Sequence, residues 1–382
     1  MTTKKIGVLI GGSGLIGGTI VNFYQAHHAD NVDIRAPSSK KVSLRDEADV
    51  RSYLGEVKPD FLINASMANL GASSRLAMEV NYLGPIVLAR AAAALGIPYI
   101  HFSSAATLPS GENLTEEDTL ALAPGLSNYA KSKLMAELTL RRMAEREGLD
   151  YSCIRLAIVY GAHDHKIQGF HRMFFSIADE SMPMLFTKKN TLHSYSNARK
   201  LPFLVHHMLR HRQEFRGQTY HFVDREPVDL STLILTIRSY LNLSLPKKLY
   251  VPYWLADSGR KIMATLLKGL RRFGLKATMP AELMFLDSFY KPQTLSSEKL
   301  RMTSFVDPFP DETIFTHLPE LVVYYLTRWS QENLITTYNA TIEQEPAETR
   351  LFTTNPEFLL DAMHSRGLDP YPELIRENWR VP

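Results

Sequence analysis

The chain has 382 residues, 45% of them hydrophobic and 22% charged, which excludes a wholly disordered or collagen-like polypeptide and suits one large or two unequal globular domains. Lysine and arginine number 43 against 40 aspartates and glutamates; the net charge of +3 gives no global electrostatic case for nucleic acid. The single cysteine, Cys153, excludes an internal disulfide and any multi-cysteine metal site. No apolar run approaches the ~18–20 residues of a membrane span. The apolar stretch Ile6–Ile10 is shorter than a signal-peptide core of ~7–15 residues, so a cytoplasmic protein is expected.

Ile6–Ile10 is short and continuously apolar, the pattern of a buried parallel strand. Gly11-Gly12-Ser13-Gly14-Leu15-Ile16-Gly17 follows at once, and Thr19–Ala26 has helical character. Strand, glycine turn and helix are the setting a dinucleotide-binding fingerprint needs. Gly11 permits the turn, Gly14 lets backbone approach a pyrophosphate, and Gly17 lets helix pack on strand. The free N–H groups of the helix start, at Leu15 and Ile16, then face the phosphates. The spacing is GxxGxxG rather than GxGxxG.

A second strand, Val32–Ala36, carries Arg35. An acid here bonds the ribose 2′-hydroxyl of NAD, whereas an arginine suits the 2′-phosphate of NADP. Arg35, with Ser38, Ser39, Lys40 and Lys41 after it, favours NADP(H) over NAD(H). The competing reading makes Asp33 the ribose ligand and Arg35 a solvated strand end. The strand Asp60–Ala65 brings Asn64 and Ala65 beside the cofactor, a helix is expected over Glu79–Ala94, and the strand Tyr99–Phe102 runs into Ser103-Ser104. Strands alternating with helices predict a doubly wound parallel α/β sheet of Rossmann type.

Tyr129 and Lys133 stand four apart at the head of the helical segment Tyr129–Glu147, on one helix face. An ammonium beside a phenol favours the phenolate and lowers the tyrosine pKa, which makes Tyr129 a candidate general acid/base. A hydroxyl at the preceding strand end, Ser104 or Thr107, would bond a reacting carbonyl. Tyr-x-x-x-Lys alone occurs on helices by chance. The ordered set of glycine turn, Ser-Ser strand end and Tyr-x-x-x-Lys carries more weight.

At these residues the sequence resembles an extended short-chain dehydrogenase/reductase of the NAD(P)-dependent epimerase/dehydratase kind. The matching stretches are Gly11–Gly17, Pro59–Ala65, Val80-Asn81 with Gly84-Pro85, Phe102–Thr107, Tyr129–Glu137, and Arg155-Leu156 with Tyr160-Gly161. Pro59–Ala65 and the short connection after Arg35 are similar to the dTDP-4-dehydrorhamnose reductase branch. The resemblance implies pyrophosphate binding by the glycines, catalysis by Tyr129 and Lys133, and help to the tyrosine from a serine or threonine. It also places Arg35 where NAD-using members carry their ribose-binding aspartate. Three positions depart from the pattern: Ala105 stands at the family's catalytic Ser/Thr, Ser43 at its adenine-side acid, and Ile158 at an asparagine common in sugar-nucleotide members.

The resemblance gives a nucleotide-binding domain over 1–162, its sheet completed by about 199–224. Substrate-binding segments are expected at 163–198 and 225–310, and a helical extension of unknown role at 311–382. Asp150–Tyr160 is expected as one strand with Cys153 as a buried apolar residue. The histidines at 163, 165, 171 and 193 lack metal-ligand spacing, so no metal is expected. Asn81, His163, Lys166, Tyr195 and Arg199 are candidate substrate contacts. His206-His207 is assigned a structural role, and Thr294–Leu300 a closing helix.

Between Pro246 and Lys276 eight basic residues face one acid, Asp257. An apolar helix face and an aromatic lead accompany them, so residues 254–273 suit peripheral contact with a membrane interface. A helix packed on the core, or a lid over a greasy substrate pocket, fits the same pattern. The expected function is hydride transfer between a nicotinamide and a carbonyl or secondary alcohol, on a sugar nucleotide or a hydrophobic hydroxy/keto compound. The alternative is a non-catalytic NADP-binding sensor or regulatory subunit, which Ala105 supports. A homodimer is compatible with the sequence.

Overall fold

The structure, a computed structural model, describes residues 4–182, 184–186, 191–249, 251–272 and 285–332, with Leu283, Leu334, Asp361, His364 and Gly367 besides. The chain runs through β1 (Lys5–Ile10), α1 (Leu15–His27), β2 (Val32–Arg35), α2 (Glu47–Val57), β3 (Phe61–Asn64), α3 (Ser74–Met78), α4 (Gly84–Leu95) and β4 (Tyr99–Ser104). It continues through β5 (Gly111–Leu114), α5 (Asn128–Glu147), β6 (Tyr151–Leu156), β7 (Ile158–Tyr160), α6 (Gly169–Ala178), β8 (Met184–Phe186), β9 (Leu192–His193) and β10 (Tyr195–Asn197). Then come α7 (Leu201–Arg210), α8 (Arg212–Phe215), β11 (Gln218–Phe222), β12 (Val228–Asp229), α9 (Leu230–Tyr240), β13 (Lys247–Leu249), α10 (Tyr253–Arg272) and β14 (Gln293–Leu295).

Six strands form one sheet in the order β11-β6-β4-β3-β1-β2, every neighbouring pair parallel. Alternation along the strands divides the apolar residues between its faces. Leu9, Phe61 and Ile63 pack with Ile20 and Phe23 of α1 and Leu204 and Val205 of α7. Val8, Ile10 and Leu62 pack with Leu54 of α2, Leu88 and Ala89 of α4, and Leu140 of α5. This is the doubly wound α/β architecture expected from the sequence. From β1 the chain moves outward to β2, then crosses to β3 on the other side. The strand order therefore reverses at the carboxyl ends of β1 and β3, where such sheets bind ligands.

Cys153 lies fully buried in β6, and burial pushes its thiol pKa well up. Smaller sheets, β12-β9-β14-β5, β10-β7 and β13-β8, stand apart from the main one.

Three expected elements differ. The helix expected over Glu79–Ala94 is a π-helical turn at Glu79–Leu83 followed by α4, and α3 leads into it. The strand expected over Asp150–Tyr160 breaks at Ala157, whose N–H donates to Ser196 Oγ (3.0 Å), and β7 pairs with β10. Thr294–Leu300 opens as strand, not helix, because the Gln293–Leu295 backbone pairs with β5 across 180 residues of sequence; only Glu298–Arg301 is helical.

The chain divides into two compact units, Met1–Val322 and Val323–Pro382. The first contains all the sheets and the described parts of 163–198 and 225–310. A helix runs over Ile314–Gln331; within the second unit Tyr325 stacks on Trp329 at 5.4 Å. The helical extension expected at 311–382 lies, past Leu334, outside the described residues, apart from Asp361, His364 and Gly367, and so do residues 273–276.

Candidate active site

Backbone geometry makes the glycine turn. Gly11 has φ of 93°, and a Cβ there would lie 2.7 Å from the Ala65 backbone. A Cβ on Gly17 would lie 2.2 Å from the Gly11 carbonyl oxygen, so α1 approaches β1 only because residue 17 has no side chain. Gly14 differs. Its Cβ would meet only the Gly11 oxygen, at an ordinary 3.5 Å. The chain's own packing leaves this position open, as a cradle for an approaching phosphate requires. Gly14 is also the N-cap of α1 and no side chain caps it, so the first N–H groups, from Leu15 onward, are left to an outside acceptor. The turn thus fits a dinucleotide pyrophosphate.

At the end of β3, buried Asn64 fixes the next turn. Its Oδ1 accepts from Ser66 N (3.0 Å) and Ser66 Oγ (2.6 Å), and its Nδ2 donates to Tyr99 Oη (3.1 Å). Ala65 lies against Gly11, as the contact above requires. Arg35, at the exposed end of β2, pairs with Asp33 (2.9 Å). Ser38 to Lys41 are exposed beyond it, and Lys41 lies over the Tyr53 ring.

The helix α5 begins one residue before Tyr129, with Ser127 as N-cap. Tyr129 is enclosed. Burial raises its phenol pKa, and a hydrogen bond with Ser104 pulls it part of the way back. Lys133 is buried too, and desolvation lowers its pKa to about 8. Its Nζ donates to the Phe102 carbonyl (2.9 Å). The expected lowering of the tyrosine pKa by the lysine is therefore not what the structure contains. Burial dominates, and the ammonium is turned to β4.

The two candidate hydroxyls separate. Ser104 is partly exposed and lies by Tyr129. Thr107 is fully buried, its Oγ1 2.9 Å from the Ser104 carbonyl and 3.2 Å from Glu137 Oε1. Ala105 starts a 3-10 turn and packs with Leu108, Leu114 and Leu295.

Sequence reasoning missed the network beneath. Glu137 lies one turn beyond Lys133 on α5 and accepts from Ser103 Oγ. Arg155 holds it bidentately, Nη2 to Oε2 at 2.6 Å and Nε to Oε1 at 3.2 Å. Arg155 Nη1 also donates to the Glu116 carbonyl (3.0 Å) and lies 3.1 Å from His221 Nε2. Guanidinium nitrogens only donate, so Nε2 accepts and Nδ1 carries the proton toward Ser296 O (3.1 Å). Burial, then Arg155, lowers the His221 pKa to about 4, which keeps this ring neutral. The available signal was the spacing Tyr129, Lys133, Glu137: three polar residues at i, i+4 and i+8 on a face that must meet the sheet.

The candidate substrate contacts scatter. Asn81, in the π-turn, is fully buried and accepts from Ala68 N (2.8 Å). Tyr195 is fully buried in β10, among Tyr160 and Phe170. Neither has surface to offer a substrate in this conformation. Arg199 is exposed but held by Glu312 (3.3 Å) and Phe309. His163 and Lys166 are exposed on the segment after Gly161, whose Cβ position lies 3.4 Å from Leu15. That segment therefore leaves from beside the glycine turn.

Among the described residues no group of three or more His, Cys, Asp or Glu could hold a metal ion. A cavity of about 390 Å³ lies away from Tyr129, at the far end of α1, lined by His27, His28, His206, His207 and His211 among others. The rings of His28 and His206 stack there, as do those of His207 and His211, four residues apart on the chain. His206-His207 thus faces a cavity rather than filling the core.

The parallel sheet with its switch-point glycine turn and uncapped helix has the form of a nicotinamide-nucleotide enzyme of the short-chain dehydrogenase/reductase type. Residues 8–220 match the model of the NAD dependent epimerase/dehydratase family, and the chain belongs to that family. No curated protein matches it by sequence. Among solved structures, it is similar to a dTDP-4-dehydrorhamnose reductase from Bacillus anthracis in complex with NADP, with a TM-score of 0.57 and 16% identity over 80% of this chain and 95% of that one. A dTDP-glucose 4,6-dehydratase from the same organism, in complex with NAD, gives 0.62 and 14% over 85% and 98%. A GDP-6-OMe-4-keto-L-xylo-heptose reductase from C. jejuni gives 0.63 and 11% over 86% and 99%. At these identities the likeness is one of fold. No described helix is long and apolar enough to cross a membrane.

Proposed function

We propose that the protein is a reductase in which Tyr129 donates a proton to the oxygen of a carbonyl substrate. The supporting observation is the buried phenol of Tyr129 beside Ser104. Its raised pKa keeps it protonated near neutrality, in the form that gives a proton rather than takes one. When bound, the nicotinamide supplies the hydride. Ser104 holds the carbonyl oxygen, and Ala105 leaves no catalytic hydroxyl missing because Ser104 takes its place. Lys133 fixes the last residues of β4 through the Phe102 carbonyl and holds the nicotinamide ribose. Gly11, Gly14, Leu15, Ile16 and Gly17 bind the pyrophosphate, and Asn64 and Ala65 border it.

Arg35 exchanges Asp33 for the 2′-phosphate, which favours NADP(H). The three relatives are named for nucleotide sugars, and the two reductases among them for 4-keto forms, so a 4-keto nucleotide sugar is the first substrate class to test. A hydrophobic keto compound is the second, favoured by Ile158. His163 and Lys166 are the side chains proposed to meet it.

NADPH oxidation against a panel of both classes tests the reading. Tyr129→Phe should lose about 10²–10⁴-fold in turnover with NADPH binding intact. A parent enzyme that turns over no carbonyl, with binding intact, would leave the sensor reading. Lys133 is an ammonium below pH about 8 and a neutral amine above it. Activity should therefore decline as pH rises through about 8, and Lys133→Arg should move that limb upward. Arg35→Ala should weaken NADPH by about 10–100-fold, the worth of a charge-assisted hydrogen bond, and leave NADH unchanged.

A further inference from the structure

Among the described residues, the helix α10 is anchored from one side. Ala256 and Leu267 are buried. Asp287 receives Tyr253 Oη (2.6 Å), Arg260 Nη1 (2.5 Å) and Lys291 Nζ (2.8 Å). These contacts leave another side uncovered. Leu255, Ile262 and Leu266 recur at intervals of seven and four, so they share one stripe. They are 49%, 63% and 58% exposed, and Trp254 at the start of the helix is 70% exposed. Exposed Leu245 and Leu249 come just before it. The core-packing reading of this helix therefore fails for this stripe.

The sequence of α10 carries five basic residues, Arg260, Lys261, Lys268, Arg271 and Arg272, and one acid, Asp257. That acid, Asp257, is neutralised within the helix by Arg260 and by Lys261 (2.7 Å). Lys247 and Lys248 precede the helix without an intervening acid. A stripe of large apolar side chains, an aromatic at its end and an excess of basic over acidic residues in the helix sequence fit a surface that is apolar within and negative at its boundary.

We propose that α10 docks the protein on an anionic lipid surface, lying in the interface with Trp254, Leu255, Ile262 and Leu266 among the acyl chains and the positive charge of this stretch drawing it to the headgroups. The chain would then meet substrate at, or near, a membrane, and no transmembrane segment is involved. The proposal does not depend on the reductase reading.

Sedimentation of the full chain with phosphatidylcholine vesicles, with and without phosphatidylserine, tests it. The protein should pellet with the serine-containing vesicles, less with phosphatidylcholine alone, and be released by salt. The tryptophan emission should shift to the blue on binding, and Trp254→Phe should abolish the shift. Ile262→Glu with Leu266→Glu should weaken binding by more than about tenfold, since each carries a large apolar side chain out of water. Lys268→Ala should weaken it by about fivefold, the worth of one charge near such a surface. Unfolding curves and NADPH binding should match those of the parent, because the glutamate sites are on the open side of the helix. Two results overturn the proposal. One is a protein that stays in the supernatant with both vesicle types. The other is self-association in the ultracentrifuge that the two glutamates abolish, which would make a second copy the occupant of the stripe.

Discussion

Arg155 and Glu137 lie 2.6 Å apart beneath the site, and Arg260 and Asp287 lie 2.5 Å apart beside α10. The distances are alike and the surroundings are not. Arg155 and Glu137 are enclosed, and each hydrogen-bonds further interior groups. Arg260 and Asp287 are partly exposed, and solvent screens them. Removing one partner in the interior strands a charge that water cannot reach; removing one at the surface hands its partner to water. The interior pair also does a task the surface pair does not. Through Ser103 and Thr107 it fixes the chain on both sides of Ser104, and so the hydroxyl that faces Tyr129.

The contrast predicts a ladder of effects. Glu137→Gln should cost about 3–5 kcal/mol in urea unfolding, because Arg155 loses its counter-charge in the interior. A loss below about 1 kcal/mol would mean that water enters the network. The glycine turn offers an intermediate case. Gly17→Ala forces a Cβ against the Gly11 carbonyl and should cost about 1–3 kcal/mol. Gly14→Ala, where the Cβ finds ordinary contact, should stay within about 0.5 kcal/mol of the parent. Its effect should instead appear in NADPH titration, as weaker binding. The smallest effect belongs to the surface: Asp257→Asn should leave the urea midpoint close to that of the parent despite two ion pairs lost, since solvent screens both.

Local signals carried the nucleotide-binding half of the fold. The strand, glycine turn and start of α1 lie within a few residues of each other, and each glycine's role follows from backbone sterics. Tyr129 and Lys133 were readable as neighbours because helix geometry puts residues four apart together. The outward direction of Ser104 and the inward direction of Thr107 were not readable, since the 3-10 turn between them depends on Glu137 and Arg155. The short strands β5 and β14 were misread or missed because their partners lie far along the chain. For α10, periodicity revealed an apolar face but not whether anything covers it; that depends on which neighbours the fold brings alongside.

The burial of Cys153 gives the molecule a built-in reporter. It is the one thiol of the chain and sits in β6, flanked by β4 and β11. With its pKa raised and no surface exposed, it meets a water-soluble disulfide reagent only when the β11-β6-β4 side of the sheet opens. The labelling rate of the unmodified protein therefore counts those openings directly, free of engineered probes. Saturating NADPH should slow it, the logarithm of the rate falling in proportion to the stability the nucleotide adds.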